Sequence, residues 1–416
     1  MSRSAPRRSG SLLAAIDIGT TKVVCFIARR EAKGPKILGI GHQISRGVKN
    51  GLVVDLDAAA TSTLNAVHAA EQMAGETITE AVVNLSGGFP ASRIVPVEIA
   101  IGGREIGDAD MKRVLGQGHA HREAPDRQII HSIPVGFSID GGPGVRDPRG
   151  MFGDRLGVNM HIVSANGAAV RNIVAAIGRC HLEVSAMIVS PYAAGLAALV
   201  ADEQELGGTV IDMGGGTTSI AVFHDGAIVF ADSVPVGGVH VTNDIARGLV
   251  TPIAHAERLK TLYGSATPSA RDERETVGVQ AIGEDEGQVT NVPKSHLVGI
   301  ITPRVEETLE LVRDRLEKSG FDRLVGHGVV LTGGASQLPG TREVAAMILD
   351  KQVRLGKPLR ITGLAEATQG PAFATTAGLL HFAASETAEL RGRDFDAFAG
   401  SRGAFGRLGS WLRENL

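Results

Sequence analysis

Residues 14–26, AAIDIGTTKVVCF, and residues 209–223, TVIDMGGGTTSIAVF, decide the fold. Each reads as an apolar strand ending on an aspartate, a turn of Gly and Thr, and a second apolar strand, which is the pattern of a β-hairpin. The two aspartates, Asp17 and Asp212, stand 195 residues apart (212 − 17). A second pair follows in the same order. Residues 81–88, AVVNLSGG, and 328–334, GVVLTGG, are apolar strands running into Gly-Gly turns. Two matches in one order point to an internal duplication. Helical spacing lies between them at 57–74, 166–178, 191–204 and 304–319. In the last of these Val305, Leu309, Val312 and Leu316 share a face, Gly320 serves as the C-cap, and Pro303 is expected to start or kink the helix. Alternating strands and helices make this an α/β chain of two duplicated lobes.

The remaining segments fall outside the repeat. The first lobe is expected over 12–85 and 165–205, interrupted by an inserted subdomain over 86–164. That insertion carries the strand-like pieces RIVPVEIAI, RQIIHSIPVGFSI and VNMHIVSA and a short helix near 108–117. The second lobe is expected over 206–243 and 326–384, with its own subdomain at 244–325 and a polar loop near 264–290. Residues 1–11 read as a basic, disordered tail with Arg3, Arg7 and Arg8, and 385–403 as a flexible linker.

The 416 residues carry a net charge of −3, so no bulk basicity points to nucleic acid. Hydrophobic residues at 43% and charged residues at 21% suit a globular, soluble chain. Cys25 and Cys180 sit in apolar stretches and suit a reducing cytoplasm, with a single disulfide left open. No stretch reaches the roughly 18 apolar residues of a transmembrane helix, and the N-terminus lacks the apolar core of a secretory signal.

A Gly/Thr hairpin lets backbone N–H groups approach phosphate oxygens. The first hairpin offers Gly19, Thr20, Thr21 and Lys22; the second offers Gly214, Gly215, Gly216, Thr217 and Thr218. Asp17 and Asp212 are placed to hold Mg²⁺, which takes one or two carboxylates and keeps several waters. Neither a GxxxxGK[ST] loop nor a GxGxxG opening a helix is present. In LTGGASQLPG (331–340), Gly333, Gly334 and Ala335 offer bare backbone to a nucleoside. In VGGVHVTNDIARGL (236–249), Gly238 could approach phosphates and Asn243 or Asp244 could hydrogen-bond the nucleotide. Glu257 and Lys260 suit ribose or base contacts, and equally a surface i,i+3 ion pair. His119 and His121 form an HxH without further ligands nearby in sequence, which argues against a metal site.

The chain ends AFGRLGSWLRENL (404–416). At about 100° per residue, Phe405, Leu408, Trp411, Leu412 and Leu416 fall in one arc of roughly 140°. A helix of this length spans roughly 20 Å, too short for a bilayer core of about 30 Å. It can lie in the interface of an anionic membrane, or dock on the protein's own body.

Hairpin, hairpin and adenosine motif in this order resemble the actin-like ATPases, whose ribonuclease H-like lobes enclose a nucleotide cleft. VSPYAAGLAAL (189–199) and GPAFATTAGLLHF (370–382) look like that superfamily's interlobe hinge helices. The insertion running from SGGFPASR to VNMHIVSA resembles that of the FtsA family of cell-division proteins; PilM-type pilus proteins share it more loosely. The resemblance implies ATP and Mg²⁺ as ligands, with slow or negligible turnover because no residue stands out as a general base. It implies self-association into protofilaments and anchoring of the FtsZ ring to the cytoplasmic face of the inner membrane at the septum. It also implies docking of the FtsZ C-terminal tail on 244–325, with Lys294 or Arg304 meeting its acids, and contacts with later division proteins such as FtsN. No nucleic acid partner is expected. A PilM-like pilus scaffold is the nearest alternative, and a soluble kinase of the same superfamily is the alternative from another class.

Overall fold

The computed structural model describes residues 10–283, 289–322, 326 and 328–385. The expected terminal helix with Phe405, Leu408, Trp411, Leu412 and Leu416, most of the expected linker and nearly all of the basic N-terminal stretch lie outside the described residues.

The first half opens with β1 (Leu12–Ile18), β2 (Lys22–Glu31) and β3 (Gly34–Ile44), a small β4–β5 hairpin (Val48–Lys49, Leu52–Val53), α1 (Leu56–Ala74) and β6 (Glu80–Leu85). Helix α1 starts where the Asp55 carboxylate accepts from the Ala58 amide and stops at Gly75 in the left-handed conformation. The insertion holds β7 (Ala91–Ala100), α2 (Asp108–His119), β8 (Arg127–Ile139), β9 (Gly142–Val145) and β10 (Arg155–Asn166). The first half then closes with α3 (Gly167–Arg179), β11 (Glu183–Val189), α4 (Ser190–Ala198) and α5 (Ala201–Leu206). The second half runs β12 (Gly208–Met213), β13 (Thr218–His224), β14 (Ala227–Val234), α6 (Gly238–Gly248), α7 (Ile253–Tyr263), β15 (Thr276–Val279), β16 (Thr290–Pro293), α8 (Lys294–Ser319), β17 (Gly328–Thr332), α9 (Thr341–Leu349), β18 (Gln352–Leu355) and α10 (Ala374–Ala384).

The duplication is visible in the sheets. One is ordered β11-β6-β1-β2-β3, the other β18-β17-β12-β13-β14. In both, three parallel strands are followed by two antiparallel ones. The hairpins share a register: Asp17 lies opposite Val24, and Asp212 opposite Ser219. The Gly-Gly turns do not share one. Ala15 pairs with Val82 and Val210 with Val330, so Gly333 stands where Leu85 stands, two positions before the turn at Gly87.

The insertion forms its own antiparallel sheet, ordered β7-β10-β8-β9, with α2 against it and Ile106, Val114, Leu156 and Met160 buried between. It also rests on the second half. The Ala231 amide of β14 donates to the Ser92 hydroxyl of β7 at 2.9 Å, and β14 is the outer strand of its sheet.

Two helices differ from the sequence expectation. The stretch 191–204 breaks at Leu199 and Val200 into α4 and α5. Helix α8 starts at Lys294, ten residues before the expected stretch 304–319, and carries Pro303 inside it. Lacking an N–H, Pro303 gives no helical hydrogen bond to the Gly299 carbonyl four residues back. The Thr302 hydroxyl caps the neighbouring Val298 carbonyl at 3.0 Å. The polar stretch near 264–290 contributes β15, which pairs antiparallel with β16.

The apolar stripe of α8 faces the second sheet, with Leu309 and Val312 fully buried. Leu309→Ala should lower the unfolding free energy by about 3 kcal/mol, the usual cost of a buried Leu-to-Ala cavity. A urea midpoint unchanged from wild type would contradict that packing.

The candidate nucleotide cleft

Both hairpins reach the cleft through their turns. The Gly19 amide donates to the Lys22 carbonyl at 2.9 Å, and the Gly214 amide to the Thr217 carbonyl at 2.8 Å. The tips touch. A methyl group on Gly215 would sit 2.5 Å from Thr21 Cγ2, and one on Gly216 would sit 2.4 Å from Thr20 Oγ1. Only bare backbone in the second hairpin permits this approach. Thr20 also accepts from the Gly51 amide at 3.1 Å. The Thr217 side chain is buried, and the Thr218 hydroxyl donates to the Val236 carbonyl at 2.8 Å, so it braces the hairpin from within.

Asp17 and Asp212 come from opposite lobes to one helix. The Thr376 hydroxyl donates to Asp17 Oδ2 at 3.2 Å, and the Thr375 hydroxyl to Asp212 Oδ2 at 2.9 Å. Lys22 donates its ammonium to the Ala372 carbonyl and lies 4.2 Å from the centre of the Phe373 ring. Burial raises the Asp17 carboxyl above its ordinary range, against the pull of Lys22 and Thr376. Burial pushes Asp212 up to about 6, with the Asp17 charge adding to it and Thr375 and Lys22 opposing. Burial lowers the Lys22 ammonium, against the pull of both aspartates.

Behind the second hairpin, the Gly238 and Val239 amides opening α6 donate to the Gly214 and Gly215 carbonyls at 3.0 and 2.8 Å. Gly238, expected at the phosphates, thus supports the turn through its N–H. Its face meets the third motif: a methyl on Gly238 would lie 3.2 Å from the Ala335 Cβ and 3.7 Å from Lys260 Nζ. Lys260 Nζ reaches Glu257 at 2.7 Å, Thr242 at 2.9 Å and the Gly238 carbonyl at 3.1 Å. Glu257 and Lys260 are therefore an ion pair docked against α6 beside that motif. Gly333 holds φ +86°, and its amide donates to the Pro371 carbonyl at 3.2 Å, tying the motif (with Gly334 and Ala335 next in line) to the entry of α10. Asp244 points elsewhere, accepting from Arg304 Nε at 2.5 Å, while Asn243 beside it is partly exposed.

Thr375 and Thr376 were absent from the sequence candidates. The signal that could have found them is two adjacent hydroxyls in the otherwise apolar run AFATTAGLL, both buried. His119 and His121 part company: the first meets the Ser132 hydroxyl, the second Arg93 and Glu123. Cys25 and Cys180 are free, buried thiols.

The donor set fits a divalent cation with a polyphosphate. Two carboxylates that burial makes costly to ionise face one ammonium already engaged with a carbonyl, so added positive charge would offset their desolvation.

Elsewhere, a cavity of about 360 Å³ lies in the second-half subdomain, lined by Pro268, Asp272, Ser295, Val298, Thr302 and Pro303 among others. The two cations expected to meet a partner's acids are already paired beside it. Lys294 lies 3.2 Å from Asp272 and 3.1 Å from Glu275, and Arg304 holds Asp244. Among the described residues, no helix is long and apolar enough to cross a membrane.

Comparison with known proteins follows this geometry. The family model described as cell division protein FtsA matches residues 209–378, and that described as the SHS2 domain inserted in FtsA matches residues 87–164. The chain is 47% identical to the cell division protein FtsA of Rhizobium meliloti over 99% of its own length and 96% of that protein's. Identity to the FtsA of Pseudomonas aeruginosa is 35%, covering 98% of this chain and 99% of the relative. Identity to the FtsA of Escherichia coli strain K12 is 32%, covering 97% and 98%. Among solved structures, the PilM-PilN type IV pilus biogenesis complex superposes with a TM-score of 0.64 at 17% identity, covering 91% of this chain and all of that one. MreB5 of Spiroplasma citri bound to ADP gives a TM-score of 0.50 at 14% identity, covering 89% and 95%. The structural neighbours share the actin-like fold, and the sequence relatives place the chain in the FtsA family of cell division proteins, to which it belongs.

Proposed function

We propose that the chain is an ATP-binding, filament-forming division protein that tethers the FtsZ ring to the cytoplasmic face of the inner membrane at the septum. The observation that carries the nucleotide reading is the convergence of Asp17 and Asp212, from the two copies of one hairpin, on adjacent hydroxyls of α10. ATP would part the touching tips. Its phosphates would take the amides of Gly19–Thr21 and Gly214–Gly216, and Lys22 would turn from the Ala372 carbonyl to a phosphate oxygen. Mg²⁺ held by Asp17 and Asp212, directly or through water, would neutralise phosphate charge. Gly333, Gly334 and Ala335 would receive the nucleoside, with Glu257 and Lys260 at its edge. Asp17, Asp212 and Lys22 are each assigned here to ligand binding rather than to activating water, in keeping with slow or negligible turnover.

The cavity beside α8 suits the C-terminal tail of FtsZ, with apolar residues of the tail on Val298, Pro268 and Pro303. Because Lys294 and Arg304 are paired internally, charge would contribute mainly through exchange of those partners. The insertion would serve self-association and later division proteins such as FtsN. Residues 404–416 would lie in the anionic membrane surface, burying Phe405, Leu408, Trp411, Leu412 and Leu416.

Co-sedimentation with anionic liposomes and ATP tests the reading. The full chain should pellet with lipid and form filaments there, while a chain ended at Arg402 should stay in the supernatant. Equal behaviour of the two chains would overturn the tether.

A further inference from the structure

We propose that Thr375 and Thr376 are a positioning pair that sets the orientation of the two cleft carboxylates, one from each lobe, toward a divalent cation. This rests on the nucleotide reading above.

Consecutive helical residues diverge by about 100°, so a single turn of α10 can present two hydroxyls in two directions. Thr375 points to Asp212 and Thr376 to Asp17, partners 163 and 359 residues away in the chain. Neither contact is the habit of threonine in a helix. Thr hydroxyls inside helices commonly turn back onto the carbonyl four residues earlier. In this chain Thr61, Thr63, Thr302 and Thr308 all do so. The α10 pair instead gives its protons to carboxylates, at a helix start where the preceding residues are already committed. The Pro371 carbonyl accepts from Gly333 and from Thr332, and the Ala372 carbonyl accepts from Lys22.

Both threonines are buried, Thr376 completely, so valine would fill the same space without placing a hydroxyl away from water. The hydroxyls are therefore placed for their acceptors. A carboxylate fixed through Oδ2 presents Oδ1 in a set direction. Because the two hydroxyls sit on adjacent residues of one rigid element, the directions of Asp17 and Asp212 are set relative to each other, although the two strands that carry them belong to different sheets. A cation bound between lobes requires that relation, and supports of metal-binding carboxylates typically contribute 10–100-fold in metal affinity.

The test uses the full chain and a fluorescent ATP analogue, titrated with Mg²⁺ and in EDTA, on wild type and on Thr375→Val, Thr376→Val, Thr375→Ser and Thr376→Ser. Binding in EDTA should agree within about twofold across all five proteins. The Mg²⁺-dependent gain in affinity should fall about tenfold in each valine variant and return in the serine variants, which keep the hydroxyl. Valine variants with the wild-type Mg²⁺ response, whatever their melting temperature, would overturn the positioning role alone. A wild type blind both to the ATP analogue and to Mg²⁺ would overturn the nucleotide reading together with it.

Discussion

Gly378→Ala should destabilise the protein by at least about 3 kcal/mol, at or beyond the upper end for overpacking a core. A Cβ at this position of α10 would lie 1.6 Å from the Ala193 carbonyl oxygen and 2.3 Å from its carbon. Both are backbone atoms of α4, so no side-chain rotation relieves the clash. The helices would have to separate, and their contact is made of small buried residues: Ala193, Ala194 and Ala197 on α4 against Ala377 and Gly378 on α10. Separation would also displace Thr375 and Thr376 from the two aspartates, so ATP binding should weaken in the fraction that still folds. Gly116→Ala in α2 is the matched control, because that position is exposed with open space around it. It should be neutral or stabilising by up to about 1 kcal/mol. Urea denaturation of both variants gives the comparison. Equal midpoints would mean that α4 and α10 are not packed as described.

Asp212→Asn should raise the stability of the nucleotide-free protein and weaken Mg²⁺-dependent nucleotide binding. Burial pushes the Asp212 carboxyl up to about 6 from 3.8. Below about pH 4 the group is protonated in both folded and unfolded chains and contributes nothing to the difference. Between pH 4 and 6 the folded chain holds a proton that the unfolded chain has released, so stability falls as pH rises. Above pH 6 both forms are ionised and the folded chain carries the full cost, which this shift puts at roughly 3 kcal/mol. Asparagine has no charge to desolvate and can still accept from Thr375. In nucleotide-free protein the variant should match wild type near pH 4 and gain on it toward pH 8, read from urea midpoints at several pH values. A gap that does not grow with pH would contradict the burial argument. ATP affinity in Mg²⁺ should drop by about 100-fold, since one of the two carboxylates proposed to hold the cation would be gone.

Much of this architecture was legible because it is local. Apolar runs on either side of an Asp and a Gly/Thr turn define both hairpins within fifteen residues. The inserted strands RQIIHSIPVGFSI and VNMHIVSA fall within β8 and β10. What escaped the sequence depends on partners far along the chain or on space. Pro303 reads as a start or a kink, and only the structure shows that α8 continues through it from Lys294. The Gly-Gly turns look equivalent, and only the strand register separates them by two positions. Asp244 has a nucleotide-contact spacing in sequence, and its pairing with Arg304, 60 residues away, shows only in three dimensions. The same holds for α10. Its small residues resemble those of a hinge helix, while the use of its two hydroxyls requires knowing where Asp17 and Asp212 arrive.

The contact between Ser92 and the Ala231 amide has a consequence for deletion experiments. An outer strand offers unpaired N–H and C=O groups to any passing chain, and natural sheets shield such borders. Here the shield of β14 is the insertion itself, supplied by the other half of the molecule. Excising residues 86–164 to probe partner binding would therefore also uncover a sticky border on the second sheet. The shortened protein should aggregate or exchange strands between copies even under conditions where no division partner is present. Point substitutions on the outward face of the insertion leave that guard in place, and they are the cleaner instrument for asking what the insertion binds.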